Sequence, residues 1–291
     1  MDLSRFIERA EPLRALGVKI TQGGEPVAQH LWEEDCRRNI YSASKSVTAM
    51  AVGLAQAEGL LSLEERLVDA FPDILPREVS DHLAAARVRD LLTMCLGQKW
   101  SFLMGSSRPL LQEDDWARAS LAQPFGCPPG ARFLYSNVGP YLAGVLVQQR
   151  AGCDLVEYLL PRLFLPLGIK RPTWEVDPLG RTFGAGGLML TLDELHRFGC
   201  LCQAGGRWQG AQLLPEAWVR ACTTRQVDNG TPYGYGYLFW GGPEGSFRAD
   251  GKYGQFSILL PRQQAVISLL AECRRTDQLL NAVFEELVPQ L

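Results

Sequence analysis

Residues 42–59, Ser42-Ala43-Ser44-Lys45-Ser46-Val47-Thr48-Ala49-Met50-Ala51-Val52-Gly53-Leu54-Ala55-Gln56-Ala57-Glu58-Gly59, read as one helix with almost no polar side. Val47, Met50, Ala51, Val52, Leu54 and Ala55 cover nearly every direction around its axis, so it belongs in the centre of a protein rather than on its surface. Gly59 is a natural end for it. The anomaly is Lys45, a charge at the head of this apolar rod, because burying a charge without a role is costly. Ser42 and Lys45, three residues apart, share one helix face. A helix N-terminus also offers backbone N–H groups and a positive potential to a developing oxyanion. A lysine partly desolvated there, near other positive charge, loses its proton more readily and can act as a base. Taken without its context, the tetrad fits equally well a helix cap at Ser42 and an ordinary charge at Lys45.

Outward from this helix, the chain reads as strands at both ends and helices between. Leu3, Phe6, Ile7, Ala10 and Leu13 have helical spacing. Residues 17–22 and 27–32 flank Gly23-Gly24-Glu25-Pro26 as a hairpin. Ser62-Leu63-Glu64-Glu65 and Thr191-Leu192-Asp193-Glu194 both have the capping-box form that opens a helix. Between them, Val88 to Met94, Tyr141 to Ala151 and Asp154 to Phe164 are expected to be helical. Tyr235 to Trp240, Ser246 to Asp250, Phe256 to Leu260 and Ala265 to Ala271 are short apolar runs that predict antiparallel strands, followed by a helix from about Thr276 to Val288. The expected fold class is α+β: an antiparallel sheet flanked by N- and C-terminal helices, with a mostly helical inserted region. Residues 1–61 and 181–291 would form the discontinuous sheet region and 62–180 the helical one. A cleft between the two is the expected place for a ligand.

Composition narrows the function by exclusion. The chain has 291 residues, 46% hydrophobic and 21% charged, with a formal net charge of -3. That is ordinary for a folded domain and gives no electrostatic case for binding nucleic acid or an anionic membrane. No apolar run approaches the roughly 20 residues that span a bilayer. The opening MDLSRFIERAEPLRAL lacks the pattern of a secretory signal, so a cytoplasmic location is expected. The eight cysteines are scattered without C-x-x-C or nearby histidine at ligand spacing, and are expected to be reduced, buried fillers. Neither a metal site nor a cofactor is expected. The histidines, His30, His82 and His196, accompany no Gly-x-Ser-x-Gly elbow, which disfavours a Ser-His-Asp hydrolase.

Two further segments carry candidate chemistry. In Tyr135-Ser136-Asn137, a phenol and an amide sit on one side of an extended turn, and a phenol close to a lysinium can be held as phenolate and accept a serine proton. Phe247-Arg248-Ala249-Asp250-Gly251-Lys252 lies at a strand end, where glycine permits close backbone approach to a ligand. Each alone is also compatible with a plain turn.

Ser42-x-x-Lys45, Tyr135-x-Asn137 and a strand with a glycine-containing triplet, in that order, resemble the serine β-lactamase and penicillin-binding-protein superfamily. The branch resembled is that of class C β-lactamase-related hydrolases, which includes esterases and 6-aminohexanoate-dimer hydrolases. Arg89-Asp90-Leu91-Leu92-Thr93-Met94, Gly186-Gly187-Leu188 and Leu213-Leu214-Pro215-Glu216-Ala217-Trp218-Val219 extend the resemblance over nearly the whole chain. It implies that Ser42 forms an acyl-enzyme with a small ester or amide, with Lys45 and Tyr135 sharing the general-base role. It further implies that Asn137 orients Lys45 and binds substrate, and that the backbone N–H groups of Ser42 and Lys252, beside Gly251, form the oxyanion hole. The sequence departs from the β-lactam-active pattern at Ala249-Asp250-Gly251, where those members carry Lys or His, then Thr or Ser, then Gly. Asp250 would repel a substrate carboxylate if it faces the site. A binding or regulatory protein with little turnover, and a true β-lactamase or D,D-peptidase, remain the alternatives to a serine esterase or amidase.

Overall fold

The computed structural model describes residues 1–105 and 107–291. Its main sheet has six antiparallel strands: β1 Ala15–Gln22, β2 Glu25–Leu31, β3 Trp240–Gly241, β4 Phe247–Gly251, β5 Gln255–Leu260 and β6 Ala265–Ala271, in the spatial order β2-β1-β6-β5-β4-β3. Strands from the two ends of the chain meet at the β1–β6 pair, with Val18 opposite Leu269 and Ile20 opposite Ile267. The hairpin turn is tighter than the sequence suggests. Gly23 and Gly24 alone make it, with φ of 60° and 87°, values that glycine adopts without steric cost.

Every residue of β5 and β6 is buried, because helices cover both faces. On one face, helices α1 (Ser4–Ala10) and α5 (Thr276–Ala282) bring Phe6, Ala10, Leu279 and Ala282 against Val18, Ile20, Ile258 and Ile267. On the other, α4 (Leu192–Gln203) shares a larger core with α2 (Ser44–Ala57), α3 (Val138–Ala151), and Leu259, Val266 and Leu270 of the sheet. The capping box at Thr191 is fully formed: Thr191 Oγ1 accepts from the Glu194 N–H at 3.0 Å and Glu194 Oε2 accepts from the Thr191 N–H at 3.0 Å.

Residues 44–55 of α2 are buried without a break, as the all-apolar pattern predicts. The helix begins two residues later than the sequence suggests, since Tyr41–Ala43 forms a 3₁₀ turn ahead of it. Three other expectations differ in detail. Ser62-Leu63-Glu64-Glu65 opens no helix: the chain turns through 63–66, and the helix begins only at Leu67. The strand expected over Tyr235–Trp240 is reduced to Trp240–Gly241 plus isolated bridges, because Leu238 takes a left-handed φ of 59° that breaks extension. Cys36 is exposed, so the cysteines are not all buried fillers. No helix of the described residues is long and apolar enough to cross a membrane.

Burial of α2 on all sides makes it the most sensitive element to truncation. Met50 is fully buried. Met50→Ala is expected to cost about 2–5 kcal/mol of stability, read as a lower denaturant midpoint; a loss below about 1 kcal/mol would contradict central burial.

Candidate active site

The site forms where the head of α2 meets the free edge of β4. Strand β3 pairs only through Trp240 and Gly241, opposite Arg248 and Phe247, so Ala249 to Gly251 is left as sheet edge. Gly251 is required at the junction. A Cβ there would lie 2.1 Å from the Ile40 carbonyl oxygen, so only glycine lets the strand end reach the turn that carries Ser42. That turn is itself strained: Tyr41 has φ 47°, a conformation unfavourable for an aromatic residue by about 1–3 kcal/mol. It is held by the Tyr41 N–H donating to Asn39 Oδ1 at 2.7 Å and by the Tyr41 carbonyl accepting from Ser44 Oγ at 2.6 Å.

Ser42, Lys45 and Tyr135 are brought together. Lys45 Nζ lies 2.9 Å from Ser42 Oγ and donates to the Ala185 carbonyl at 2.6 Å. It also stands 5.1 Å from the centre of the Tyr135 ring, whose phenol lies near enough to Ser42 for the serine to oppose the rise in its pKa. Lys45 is only 1% exposed. Burial, followed by the Arg108 charge, brings its pKa down from 10.5 to about 7, against a smaller opposing effect of Asp250. Burial pushes the Tyr135 phenol upward, the Ser42 hydrogen bond opposes this, and Asp250 adds to the rise. The phenolate that the sequence suggested is therefore disfavoured, and the group able to stand deprotonated near neutral pH is Lys45.

Asn137 makes no hydrogen bond to Ser42 or Lys45 among the described residues. Its Nδ2 donates to the Leu103 carbonyl at 2.8 Å, and its buried Oδ1 has no hydrogen-bond partner among the described residues. The contact that orients Lys45 comes instead from the Ala185 carbonyl. The segment around it is fixed to α2, with Thr48 Oγ1 donating to the Gly184 carbonyl at 2.8 Å and the Leu188 N–H donating to Ser44 Oγ at 3.2 Å. Nothing in the sequence around Gly184, Gly186 and Gly187 marks Ala185, since its contribution is a backbone oxygen.

Arg108 is the other group that sequence reasoning missed. Its Nη1 pairs with Glu175 Oε1 at 2.6 Å, and its guanidinium carbon lies 4.2 Å from the centre of the Phe183 ring, two residues before Ala185. Phe183 donates its N–H to the Glu175 carbonyl at 2.8 Å, so Arg108 clamps the segment that holds Lys45 while its charge disfavours the lysinium.

The strand wall carries Asp250, Gly251 and Lys252. The Lys252 side chain is exposed and its Nζ lies 4.8 Å from the Tyr253 ring centre. Among the described residues, the backbone N–H groups of Ser42 and Lys252 donate to no backbone carbonyl, which leaves both available to an oxyanion. Asp250 Oδ2 accepts from Arg248 Nε at 2.8 Å. Trp240, across from Arg248, packs on Tyr135 with ring centres 5.3 Å apart. A cavity of 410 Å³ is lined by Asp250, Gly251, Lys252, Tyr253, Cys273, Arg274 and Thr276. His196 Nδ1 and Ser268 Oγ, 3.0 Å apart, are buried between α4 and the sheet.

Residues 5–285 match the family model described as Beta-lactamase. The 6-aminohexanoate-dimer hydrolase of Paenarthrobacter ureafaciens is 24% identical over 282 residues, covering 87% of this chain and 71% of that protein. The ML-236A carboxylate methylbutanoyltransferase mlcH of Penicillium citrinum is 26% identical over 187 residues, 56% of this chain; the match spans 44% of that relative's length. The octameric penicillin-binding protein homologue from Pyrococcus abyssi shares the fold, with a TM-score of 0.77 and 18% identity over 98% of this chain and 77% of that one.

If burial and Arg108 set the state of Lys45, its Nζ will titrate near 7 in lysine-selective NMR. Arg108→Met is expected to move that titration upward, and Arg108→Lys to leave it closer to the wild type. A wild-type value near the ordinary 10.5 would overturn the account.

Proposed function

The chain belongs to the Beta-lactamase family, and we propose that it is a serine hydrolase that cleaves a small ester or amide through an acyl-enzyme on Ser42. The observation that carries this reading is the buried Lys45 amine 2.9 Å from Ser42 Oγ. A hydroxyl is a weak nucleophile until an adjacent base takes its proton. In its neutral form, Lys45 receives the Ser42 proton as Oγ attacks the substrate carbonyl. Tyr135, within hydrogen-bonding reach of Ser42, relays the proton as a neutral phenol. The carbonyl π electrons move onto oxygen, and the Ser42 and Lys252 N–H groups receive the resulting charge. Removal of an oxyanion donor of this type costs about 2.7–4 kcal/mol of transition-state stabilisation. Collapse of the tetrahedral intermediate expels the alcohol or amine, which takes back the proton held by the Lys45–Tyr135 pair. Water, deprotonated by the same pair, then attacks the acyl-enzyme and releases the acid with regeneration of Ser42.

The methylbutanoyltransferase relative supports a second reading, in which an alcohol replaces water in the last step. The Ser42 and Lys45 chemistry is the same, and only the acceptor differs. The absence of a cation or hydroxyl at Ala249-Asp250 argues against efficient β-lactam hydrolysis.

Incubation with a p-nitrophenyl ester is expected to release p-nitrophenol with turnover and to add one acyl mass to the peptide containing Ser42 in quenched samples. Ser42→Ala should abolish both, and Lys45→Met should slow release by about 10²–10⁴-fold, the usual worth of a general base. A trapped acyl group without turnover would replace the hydrolase reading with that of a binding protein. Faster turnover of nitrocefin than of any ester would replace it with that of a β-lactamase. Increased p-nitrophenol release on adding alcohol, with ester formed in place of acid, would favour acyl transfer.

A further inference from the structure

We infer that Tyr41 and Tyr253 are positioning residues, whose ring contact locks together the two turns that carry the Ser42 and Lys252 N–H groups and so fixes the spacing of the oxyanion hole. The inference rests on the serine-hydrolase reading and adds to it the device that sets this spacing.

Both donors sit in turns of unusual backbone. Tyr41, immediately before Ser42, has φ 47°, and Tyr253, immediately after Lys252, has φ 69°. Both values lie in the left-handed region, which non-glycine residues rarely occupy and which persists only where the surroundings enforce it. Each turn also fixes the direction of its donor. The Tyr41 carbonyl accepts from Ser44 Oγ at 2.6 Å, and the Ser42 N–H belongs to the same peptide. The Gly251 carbonyl accepts from the Gly254 N–H at 3.2 Å, and the Lys252 N–H belongs to that peptide. In a trans peptide the N–H points opposite to the carbonyl, so each donor is turned away from the bond that closes its own turn.

The two turns come from distant parts of the chain, and their hydrogen bonds anchor each one to its own side. Asn39 and Ser44 hold the Tyr41 turn. The Cys273 N–H, donating to the Tyr253 carbonyl at 2.9 Å, and Gln255 Nε2, donating to the Lys252 carbonyl at 3.3 Å, hold the other. Among the described residues, no hydrogen bond joins 40–43 to 250–254, so the gap is spanned by packing. Gly251 against the Ile40 carbonyl sets how closely the backbones approach. The Tyr41 and Tyr253 rings meet edge to face, with centres 5.2 Å apart and planes at 81°, an attractive geometry for an aromatic pair. Because each ring belongs to the residue flanking a donor, the pair resists tilting of one turn against the other. Neither phenol makes a hydrogen bond among the described residues, which assigns the role to the rings. Both tyrosines are only partly buried, so their truncation leaves the core intact.

The test measures p-nitrophenyl ester turnover by the wild type, Tyr41→Ala, Tyr253→Ala, the double alanine variant, Tyr41→Phe and Tyr253→Phe. Each single alanine variant is expected to lose about 10–100-fold in kcat, with KM within about threefold of wild type, because the oxyanion contacts form only in the transition state. The phenylalanine variants, which keep the ring pair, are expected to stay within about threefold of wild-type kcat. The double variant is expected to be no more than about threefold slower than the slower single variant, since each ring acts through the other. Wild-type kcat in the alanine variants, phenylalanine variants as slow as the alanine ones, or a double-variant loss equal to the product of the single losses would overturn the inference. Residual dipolar couplings of the Ser42 and Lys252 N–H bonds read their directions without turnover. Tyr253→Ala is expected to change the Ser42 coupling and Tyr41→Ala the Lys252 coupling, with both unchanged in the phenylalanine variants. That result in a protein that cleaves no ester would support the tyrosine contact and sink only the hydrolase reading. Ester cleavage by the wild type with couplings unchanged in both alanine variants would sink the positioning role alone.

Discussion

A single desolvated amine organises this molecule. Placing the Lys45 side chain, 1% exposed, in the head of a helix buried on every side opposes its charged form, and its acceptors among the described residues are Ser42 Oγ and the Ala185 carbonyl. A full ammonium in such a place would call for a close counter-ion. Asp250 acts on it, but more weakly than burial and the Arg108 charge. The balance favours the neutral amine near physiological pH, and a neutral amine beside a serine hydroxyl is the requirement for an activated nucleophile.

The fold serves that requirement from three directions. The 3₁₀ turn ahead of helix α2 carries Ser42, and the first turn of α2 carries Lys45. The sheet, assembled from strands at both ends of the chain, delivers the β4 edge to the Ser42 turn through the missing side chain of Gly251. The helical region supplies Tyr135 and, through the Arg108–Glu175–Phe183 clamp, fixes the segment carrying Ala185. The strained Tyr41 turn, held by its hydrogen bonds to Asn39 and Ser44, lies at this convergence.

Much of this was legible in the amino-acid sequence because it depends on pattern. The nearly all-round apolar character of 42–58 marks a central helix, Gly23-Gly24-Glu25-Pro26 marks a hairpin, and the runs 256–260 and 265–271 mark antiparallel strands. Ser42, Lys45 and Tyr135 were legible as motifs, and the structure places them side by side. What was not legible depends on long-range contact or on backbone atoms. Ala185 acts through its carbonyl, which every residue possesses. Arg108 is one of 29 basic residues, and only folding selects it by bringing Glu175 and Phe183 to it. The capping sequence at Ser62 failed to open a helix, while the same form at Thr191 succeeded, so the local signal does not suffice without packing to continue it. The phenolate expected at Tyr135 gives way because the same burial that releases the lysine proton holds the phenol proton in place.

The central claim is that buried, neutral Lys45 activates Ser42, and the pH dependence of the acylation step tests it most directly. Rapid-mixing measurement of the p-nitrophenol burst between pH 5.5 and 10 should show a rate that rises through a single inflection near 7 and is level above it. An inflection near the ordinary lysine value of 10.5, or a rate independent of pH across this range, would contradict the claim.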